Sequence, residues 1–230
     1  MANKPFYRRV DELAVTSFPI AWLGYLAAHT WTLTEPIAAS FGAVLGWACA
    51  DLVSGFIHWL GDHILPADAP LVGKWLVQSF AEHHDRPQSI CEHGQAERNG
   101  GPCVGGLIVL AGGAVGLKWF GTPGGVSSFL YGWLAALSVG AAATNQFHHY
   151  AHLPSKLVPH PVLTLQRLGL IVSPRIHGKH HSGPHADSFC ITTGWCNRLL
   201  DGILKMTWSR LRGESQYATK SIRPIDRLAL

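Results

Sequence analysis

Three histidines in one short stretch have the spacing that most clearly indicates chemistry in this chain. His177, His180 and His181 occupy positions i, i+3 and i+4 of the run Pro-Arg-Ile-His-Gly-Lys-His-His. In a helix they would share one face and reach a common centre. Imidazole is the commonest nitrogen ligand for transition metals, so this spacing predicts a metal site. The alternative is a histidine cluster on a basic, soluble loop.

Further candidate ligands occur in three more groups at the ends of apolar runs or in the polar sequence beside them. Two are i, i+4 pairs, and one is a doublet whose members would point about 100° apart on a helix and could address two metals. Because one zinc takes four ligands, nine candidates suit two metals. The nine are His58, Asp62, His83, His84, His148, His152, His177, His180 and His181. Imidazole alone does not distinguish iron from zinc or copper.

Several residues near these groups have more than one interpretation. Asp51 is an ionisable residue inside an apolar run, which makes it a functional candidate. It is either a hydrogen-bonding strut between helices or a residue that orients a ligand histidine. Asn145 lies three residues before His148 on the same helix face. His149 is rotated off that face, and His29 is interpreted as a satisfied histidine at the membrane interface.

The sequence lacks the motifs of two familiar kinds of metalloprotein. There is no His-Glu-x-x-His, which argues against a zinc membrane peptidase, and no Glu-x-x-His, which argues against a carboxylate-bridged di-iron bundle. The five cysteines form no Cys-x-x-Cys pair and give an odd total, so we expect neither a disulfide scaffold nor a thiolate zinc site.

The elements that must position the histidines are predicted from the distribution of charge. Only 14% of the 230 residues are charged, against about 25% in soluble domains. Long charge-free gaps predict four membrane spans, at about residues 14–33, 37–60, 103–120 and 126–147. The first follows a basic start, as in a signal peptide, but is longer than a typical cleaved core and is interpreted as a retained helix. Amphipathic surface helices are expected at 70–85, 161–172 and 198–211.

The topology places every histidine group on one side of the membrane. Spans two and four run in the same direction, so their carboxyl ends emerge together. Of the 18 Lys and Arg residues, only Lys118 falls in an outer connection, which makes the histidine side, with both termini, cytoplasmic. The prediction is an all-α integral membrane protein with four transmembrane helices and a cytoplasmic, histidine-rich cap of interfacial helices, forming one domain over residues 1–230. The basic residues indicate anionic lipid head groups rather than nucleic acid as the partner.

Taken together, the motifs resemble a known family. The matching stretches run in order from Asp51-Leu-Val-Ser-Gly-Phe-Ile-His58 through the later histidine groups to Phe189-Cys-Ile-Thr-Thr-Gly-Trp195, over about residues 51–197. They are similar to the lipid desaturase family of histidine-box membrane enzymes, which includes plasmanylethanolamine desaturases, the bacterial CarF proteins and the plant fatty acid desaturase 4 type. Any one box is a weak signal, whereas the whole set is specific.

The resemblance implies a non-haem enzyme with two iron ions. Such an enzyme uses O2 and two electrons from an external donor, cytochrome b5-like or ferredoxin-like, to introduce a double bond into a membrane phospholipid chain. The leading expectation is formation of the vinyl ether of plasmalogens. A di-iron lipid hydroxylase is the alternative within the same class. A membrane metal-binding or transport protein is less favoured, because a transporter places ionisable ligands near the bilayer midplane.

Carried over position by position, the resemblance makes the nine candidates the iron ligands. It adds His93 and His185 as residues near the site and leaves His149 and His160 without a role. The family's first box has two histidines, whereas here the i+4 position is Asp62 and His63 follows it. Asp62 is preferred because it shares the helix face of His58. Arg175 and Lys179 are expected to contact the phosphate of the lipid.

Overall fold

The computed structural model describes residues 4–29, 35–70, 72–120, 124–182 and 185–212. Within these ranges the regular structure is entirely helical and no strand occurs. A π-helical turn occupies Gly73–Val77, and a 3-10 turn occupies Ser155–Leu157. The helices are α1 Lys4–His29, α2 Pro36–His63, α3 Gln78–Asp85, α4 Ser89–Glu92, α5 Gln95–Phe120, α6 Gly124–His152, α7 His160–Arg167, α8 Pro174–His181 and α9 Asn197–Arg212.

Among the described residues, three helices are long and apolar enough to cross a membrane. They are α2, α6 and residues Gln95–Trp119 of α5. The length and apolar composition of these helices confirm three of the four predicted spans. The first predicted span coincides with most of α1, and its last residues, 30–33, lie outside the described residues. Membrane crossing by α1 therefore stays a prediction.

Helices α2 and α6 pack side by side and run in the same direction, because small residues let their backbones approach. Gly42 and Gly46 of α2 face the carbonyls of Phe129 and Trp133, while Gly132 of α6 faces the carbonyl of Ala39. The contact continues to the end of both helices, where the rings of His58 and His148 are 6.2 Å apart. Close packing of the two spans thus brings two histidine groups together.

Alanine at Gly46 is expected to destabilise the protein, whereas alanine at Gly112 is not. A Cβ at Gly46 would overlap the backbone carbonyl of Trp133, which cannot move aside, but a Cβ at Gly112 meets no atom within 4 Å. Overpacking of this kind costs about 1–3 kcal/mol, while Gly→Ala at an open helical position gains up to about 1 kcal/mol. Thermal unfolding in detergent measures both variants, and equal melting temperatures would contradict the packing described.

Helix α1 packs against α5 and α6 through two apolar clusters. Phe18 of α1 lies with Cys103 and Ala142 in the first, and Tyr25 lies with Leu110 and Leu134 in the second. The indole of Trp22 donates to the carbonyl of Ala135 at 2.9 Å. These contacts complete a four-helix arrangement in which α6 is central.

The shorter helices lie at the histidine end of α2 and α6. The surface helix predicted over 70–85 begins at Gly73, and that predicted over 198–211 is α9. The one predicted over 161–172 is shorter than expected: α7 ends at Arg167, and Gly169 follows with a φ of 70°. That left-handed conformation suits glycine and stops the helix.

Candidate metal centre

The structure brings the nine predicted ligands together in two adjacent sets. We call them the five-histidine set, which is His83, His148, His152, His177 and His181, and the mixed set, which is His58, Asp62, His84 and His180. Within each set, one ligand atom from every residue lies within 4.8 Å of all the others. His83 and His84 fall in different sets, as do His180 and His181. Neighbouring side chains on a helix point about 100° apart, and this accounts for the division.

Four helices supply these side chains. Helix α6 gives two residues to the five-histidine set and α2 gives two to the mixed set, in each case at i, i+4. Helices α3 and α8 contribute to both sets. The ring contacts between the sets include His177 with His180, at a centroid separation of 5.9 Å. The two sets are therefore neighbours within a single buried cluster.

The five-histidine set is joined by a chain of contacts between Nε2 atoms. The separations are 3.2 Å for His152 and His148, 2.8 Å for His148 and His177, 2.9 Å for His177 and His181, and 3.0 Å for His181 and His83. In a neutral imidazole, Nε2 either donates one hydrogen or accepts one. Three of these atoms each contact two others, which hydrogen bonds alone satisfy poorly. A cation at the centre would accept all five lone pairs.

In the mixed set, backbone carbonyls fix the protonation of two histidines. Nδ1 of His58 donates to the carbonyl of Phe189 at 3.1 Å, and Nδ1 of His180 donates to that of Asp187 at 2.8 Å. Because a carbonyl only accepts, the hydrogen of each neutral ring is on Nδ1 and the lone pair is on Nε2. These two lone pairs face the interior of the set.

The carboxylate of Asp62 lies among these lone pairs. Its Oδ2 is 3.5 Å from Nε2 of His58, 3.7 Å from that of His84 and 3.6 Å from that of His180. Both carboxylate oxygens and Nε2 of His58 are buried and have no hydrogen-bond partner. Burying the lone pair of His58 and a carboxylate with no hydrogen-bond partner is costly. A metal ion removes that cost, so the residues of both sets fit a bound metal.

Burial keeps the candidate ligand histidines of α3 and α8 uncharged at neutral pH. Desolvation, reinforced by neighbouring imidazoles, lowers the pKa of His83 to about 2 and that of His84 to about 3. For His181 the same causes lower the pKa to about 4. For His180, desolvation lowers the pKa to about 4 although its bond to Asp187 opposes the shift. Neutral imidazole is the form that binds metal.

The metal-free protein is expected to lose stability as pH falls below about 6.5. Below that value the histidines are protonated in the unfolded chain but stay neutral in the folded protein. The unfolded state therefore binds more protons, and the free energy of unfolding decreases as the pH is lowered. The loss from His180 continues to about pH 4 and that from His83 to about pH 2. Each contributes up to about 1.4 kcal/mol per pH unit. Denaturant unfolding at several pH values measures the slope, and a His83→Gln variant should show a smaller one. A slope that is unchanged in this variant would contradict the prediction.

Asp51 holds a loop and does not contact a ligand histidine. It is fully buried, and its carboxylate accepts hydrogen bonds from the backbone N–H groups of Thr193, Gly194 and Cys196, at 2.6, 2.9 and 2.9 Å. Asp51 therefore acts as a hydrogen-bonding strut, the first of the two roles predicted for it, but it joins α2 to a loop and not to another helix. The loop includes Phe189, whose carbonyl binds His58, so the strut also acts on a candidate ligand indirectly.

The other predicted neighbours of the site lie outside the two sets. The ring of His185 stacks on His84 with centroids 4.2 Å apart, and Nε2 of His63 donates to the carbonyl of His185 at 3.0 Å. Asn145 donates to the carbonyl of Arg98, and the carbonyl of His93 accepts from the same arginine. The two candidates for lipid phosphate, Arg175 and Lys179, are exposed on α8.

Sequence reasoning missed the two carbonyls that orient His58 and His180, because backbone atoms leave no residue signature. It also missed Arg98, which is buried and donates to Gln146 of α6 at 3.3 Å. The run from Phe189 to Trp195 is one of the stretches that carry the family resemblance, and this was the available signal for the loop.

Comparison with known proteins connects this centre to a family. The lipid desaturase domain family matches residues 47–216. A plasmanylethanolamine desaturase of Myxococcus xanthus is 40% identical over 203 residues, which cover 85% of this chain and 68% of the relative. Plasmanylethanolamine desaturase 1 of Mus musculus is 36% identical over 181 residues, covering 77% and 65%. The chloroplastic fatty acid desaturase 4 of Arabidopsis thaliana is 30% identical over 167 residues, covering 73% and 48%.

The chain thus spans from about half to about two thirds of the length of these relatives. No solved structure gives a significant match. Three apolar helices of spanning length, together with the family, indicate a membrane protein. The ordered histidine motifs, the two ligand sets that they form and the match over residues 47–216 lead to one conclusion: the chain belongs to the lipid desaturase family.

Proposed function

We propose that this protein is an O2-dependent di-iron desaturase that introduces a double bond into an alkyl or acyl chain of a membrane phospholipid. We further propose that the substrate is a plasmanylethanolamine, whose alkyl chain becomes the vinyl ether of a plasmalogen. The observation that carries the proposal is the pair of adjacent, imidazole-rich ligand sets at the ends of two apolar helices. The names of the relatives from Myxococcus xanthus and Mus musculus support the substrate.

The reaction needs an oxidising cofactor because an unactivated C–H bond has no acidic proton for a side chain to remove. Iron, when bound, supplies that oxidising power, and the protein supplies its placement. Overall, the lipid loses two hydrogens and O2 is reduced to two waters. The balance takes two electrons from the external donor and two protons from solution.

The residues of the chain hold the metals, orient the substrate and exclude water. Buried, uncharged imidazoles provide ligands without adding charge, and the Asp62 carboxylate offsets part of the charge of the metal in the mixed set. In the proposed topology of four spans, the sets lie where a lipid chain can enter from the bilayer. A cytochrome b5-like or ferredoxin-like donor then approaches from the cytoplasmic side. We propose one catalytic domain over residues 1–230, with both termini cytoplasmic.

Lipid mass spectrometry of a host that expresses the chain tests this function. We expect phospholipid species that are lighter by two hydrogens, and none from a His180→Ala variant produced at the same level. Species that gain one oxygen instead would identify a hydroxylase. An unchanged lipid profile from an iron-loaded, reduced enzyme supplied with O2 would refute desaturation.

Removal of the positive charges on α8 is expected to weaken phospholipid use while iron content stays normal. Arg175 and Lys179 are exposed and lie on the helix that carries three candidate ligands. An Arg175→Gln, Lys179→Gln variant should raise KM by about 10-fold, the lower range for loss of a hydrogen bond to a charged group. Lys156→Gln, at another exposed lysine, is the control. Equal losses of iron and activity would count against a head-group role.

A further inference from the structure

Residues 187–196 form a non-helical segment that is buried beside the mixed set, and we call it the anchored loop. Phe189, Cys190, Ile191, Thr192 and Thr193 are each at most 2% exposed. A buried segment without helical hydrogen bonds must find other acceptors for its N–H groups. The partners of these N–H groups therefore decide whether the loop is stable.

Side chains of α2 and α9 accept the hydrogen bonds of the loop. On the α9 side, the backbone N–H of Ser188 donates to both carboxylate oxygens of Asp201 at 3.0 and 3.2 Å. The backbone N–H of Cys190 donates to Oδ1 of Asn197 at 2.8 Å. On the α2 side, Asp51 accepts three N–H groups and Oγ of Ser54 accepts that of Ile191 at 3.2 Å. Two helices thus fix the backbone of the loop from opposite ends.

The anchored loop contacts one ligand set and not the other. The carbonyls of Asp187 and Phe189 accept the Nδ1 hydrogens of His180 and His58, and the ring of Phe189 packs against both imidazoles. Both histidines belong to the mixed set. In the described part of the chain, no hydrogen bond or ring contact joins this loop to the five-histidine set.

The conformation of Ser188 supports this arrangement. Its φ of 61° is left-handed, which is uncommon for a residue other than glycine. This residue separates the two carbonyls that accept from His180 and His58. The hydrogen bonds from the N–H of Ser188 to the carboxylate of Asp201 hold this strained conformation.

We infer that the anchored loop is a positioning device for only one of the two metals, and that Asp201 is a positioning residue for the mixed set. The inference rests on the two-metal centre of the proposed function. By holding the carbonyls of residues 187 and 189, Asp201 keeps Nε2 of His180 and of His58 aimed at one metal. Loss of such an outer partner typically lowers metal affinity by about 10- to 100-fold.

Titration of the metal-free full chain with Fe(II), without O2, tests the inference by calorimetry. The wild type should bind two metals. In Asp201→Ala, one site should weaken by about 10- to 100-fold while the other keeps its affinity. Thr207→Ala is the matched control, because Thr207 is exposed on the same helix and its hydroxyl bonds only its own helix. It should leave both affinities unchanged.

Two ligand variants identify which site is affected. In a His84→Ala background the tight site is the five-histidine set, and Asp201→Ala should have no further effect on it. In a His152→Ala background the tight site is the mixed set, and Asp201→Ala should weaken it. Equal weakening of both sites, or of neither, would overturn the inference, as would a wild type that binds fewer than two metals.

A second variant, at another residue that holds the loop, keeps the test valid if Asp201→Ala does not fold. Asp51→Ala would leave the N–H groups of Thr193, Gly194 and Cys196 without their acceptor, and we expect it to impair folding. If Asp201→Ala is misfolded by circular dichroism, Asn197→Ala, which frees the N–H of Cys190, should give the same one-site loss. The measurement counts metals without turnover. A chain that shows the one-site loss but makes no unsaturated lipid would refute the proposed function alone.

Discussion

Alanine at His148 is expected to abolish lipid desaturation and to remove the metal from the five-histidine set. His148 is 2% exposed, and its Nε2 contacts those of His152 and His177, so it lies inside the chain of imidazoles and not at an end of it. Loss of a residue that only hydrogen-bonds a metal ligand lowers metal affinity or activity by up to about 100-fold. Loss of a ligand itself should lower them by more. The cavity left by the ring adds a smaller cost in stability.

The activity of purified, iron-reconstituted protein and its iron content measure this effect. His160→Ala is the matched control, because His160 is an exposed histidine at the start of α7 and belongs to neither set. It should retain two irons and wild-type activity. A His148→Ala protein with full activity and both metals would show that the five-histidine set is not the catalytic centre.

The grouping of the histidines follows from local geometry, and this is why the sequence could predict it. The pairs His58 with Asp62 and His148 with His152 need only one turn of helix to share a face. Helices α2 and α6 both form there, and both end at the same side of the fold. The direction of successive spans then brings distant groups together without knowledge of the packing.

The apolar runs mark the spans but not every helix end, because a run ends at the first polar residue while the helix continues. The spans predicted to end near 60 and 147 lie in helices that continue to His63 and His152, as the i, i+4 ligand pairs at these ends require. The predicted start at 103 is preceded by two helical turns from Gln95. In those turns Arg98 and Asn99 are buried and bond Gln146 of α6. Polar contacts between helices extend these elements, and hydrophobicity does not reveal them.

The division of the candidate ligands between two sets could not be read from the sequence. The doublet His83 and His84 predicted that two metals could be addressed, but which histidine joins which set depends on how α3 and α8 pack against the spans. The role of Asp51 was similarly open, because its partners are backbone N–H groups 142 to 145 residues away. Hydrogen bonds to backbone groups so far away in the sequence are set by the tertiary structure, and no local sequence pattern predicts them.

Asp62→Asn is expected to lower desaturase activity by about 100-fold or more, whereas His63→Gln should reduce it far less. Oδ2 of Asp62 lies 3.5 to 3.7 Å from three Nε2 atoms of the mixed set. Asparagine keeps the shape but loses the charge that balances the metal. Loss of this ligand should cost at least as much as loss of an outer partner, about 10- to 100-fold. Nε2 of His63 instead donates to the carbonyl of His185, a bond that the amide of glutamine can replace.

Iron content and the spectroscopic signature of the proposed di-iron centre distinguish these variants better than activity alone. Asp62→Asn should lose or alter one iron and leave the signal of the five-histidine set, because that set contains no carboxylate. His63→Gln should keep both signals. If His63→Gln lost one iron while Asp62→Asn kept two, the ligand at this end of α2 would be the histidine. Helix α2 would then have to unwind after His58 to bring His63 into the mixed set, because His63 does not lie on the helix face that His58 and Asp62 share.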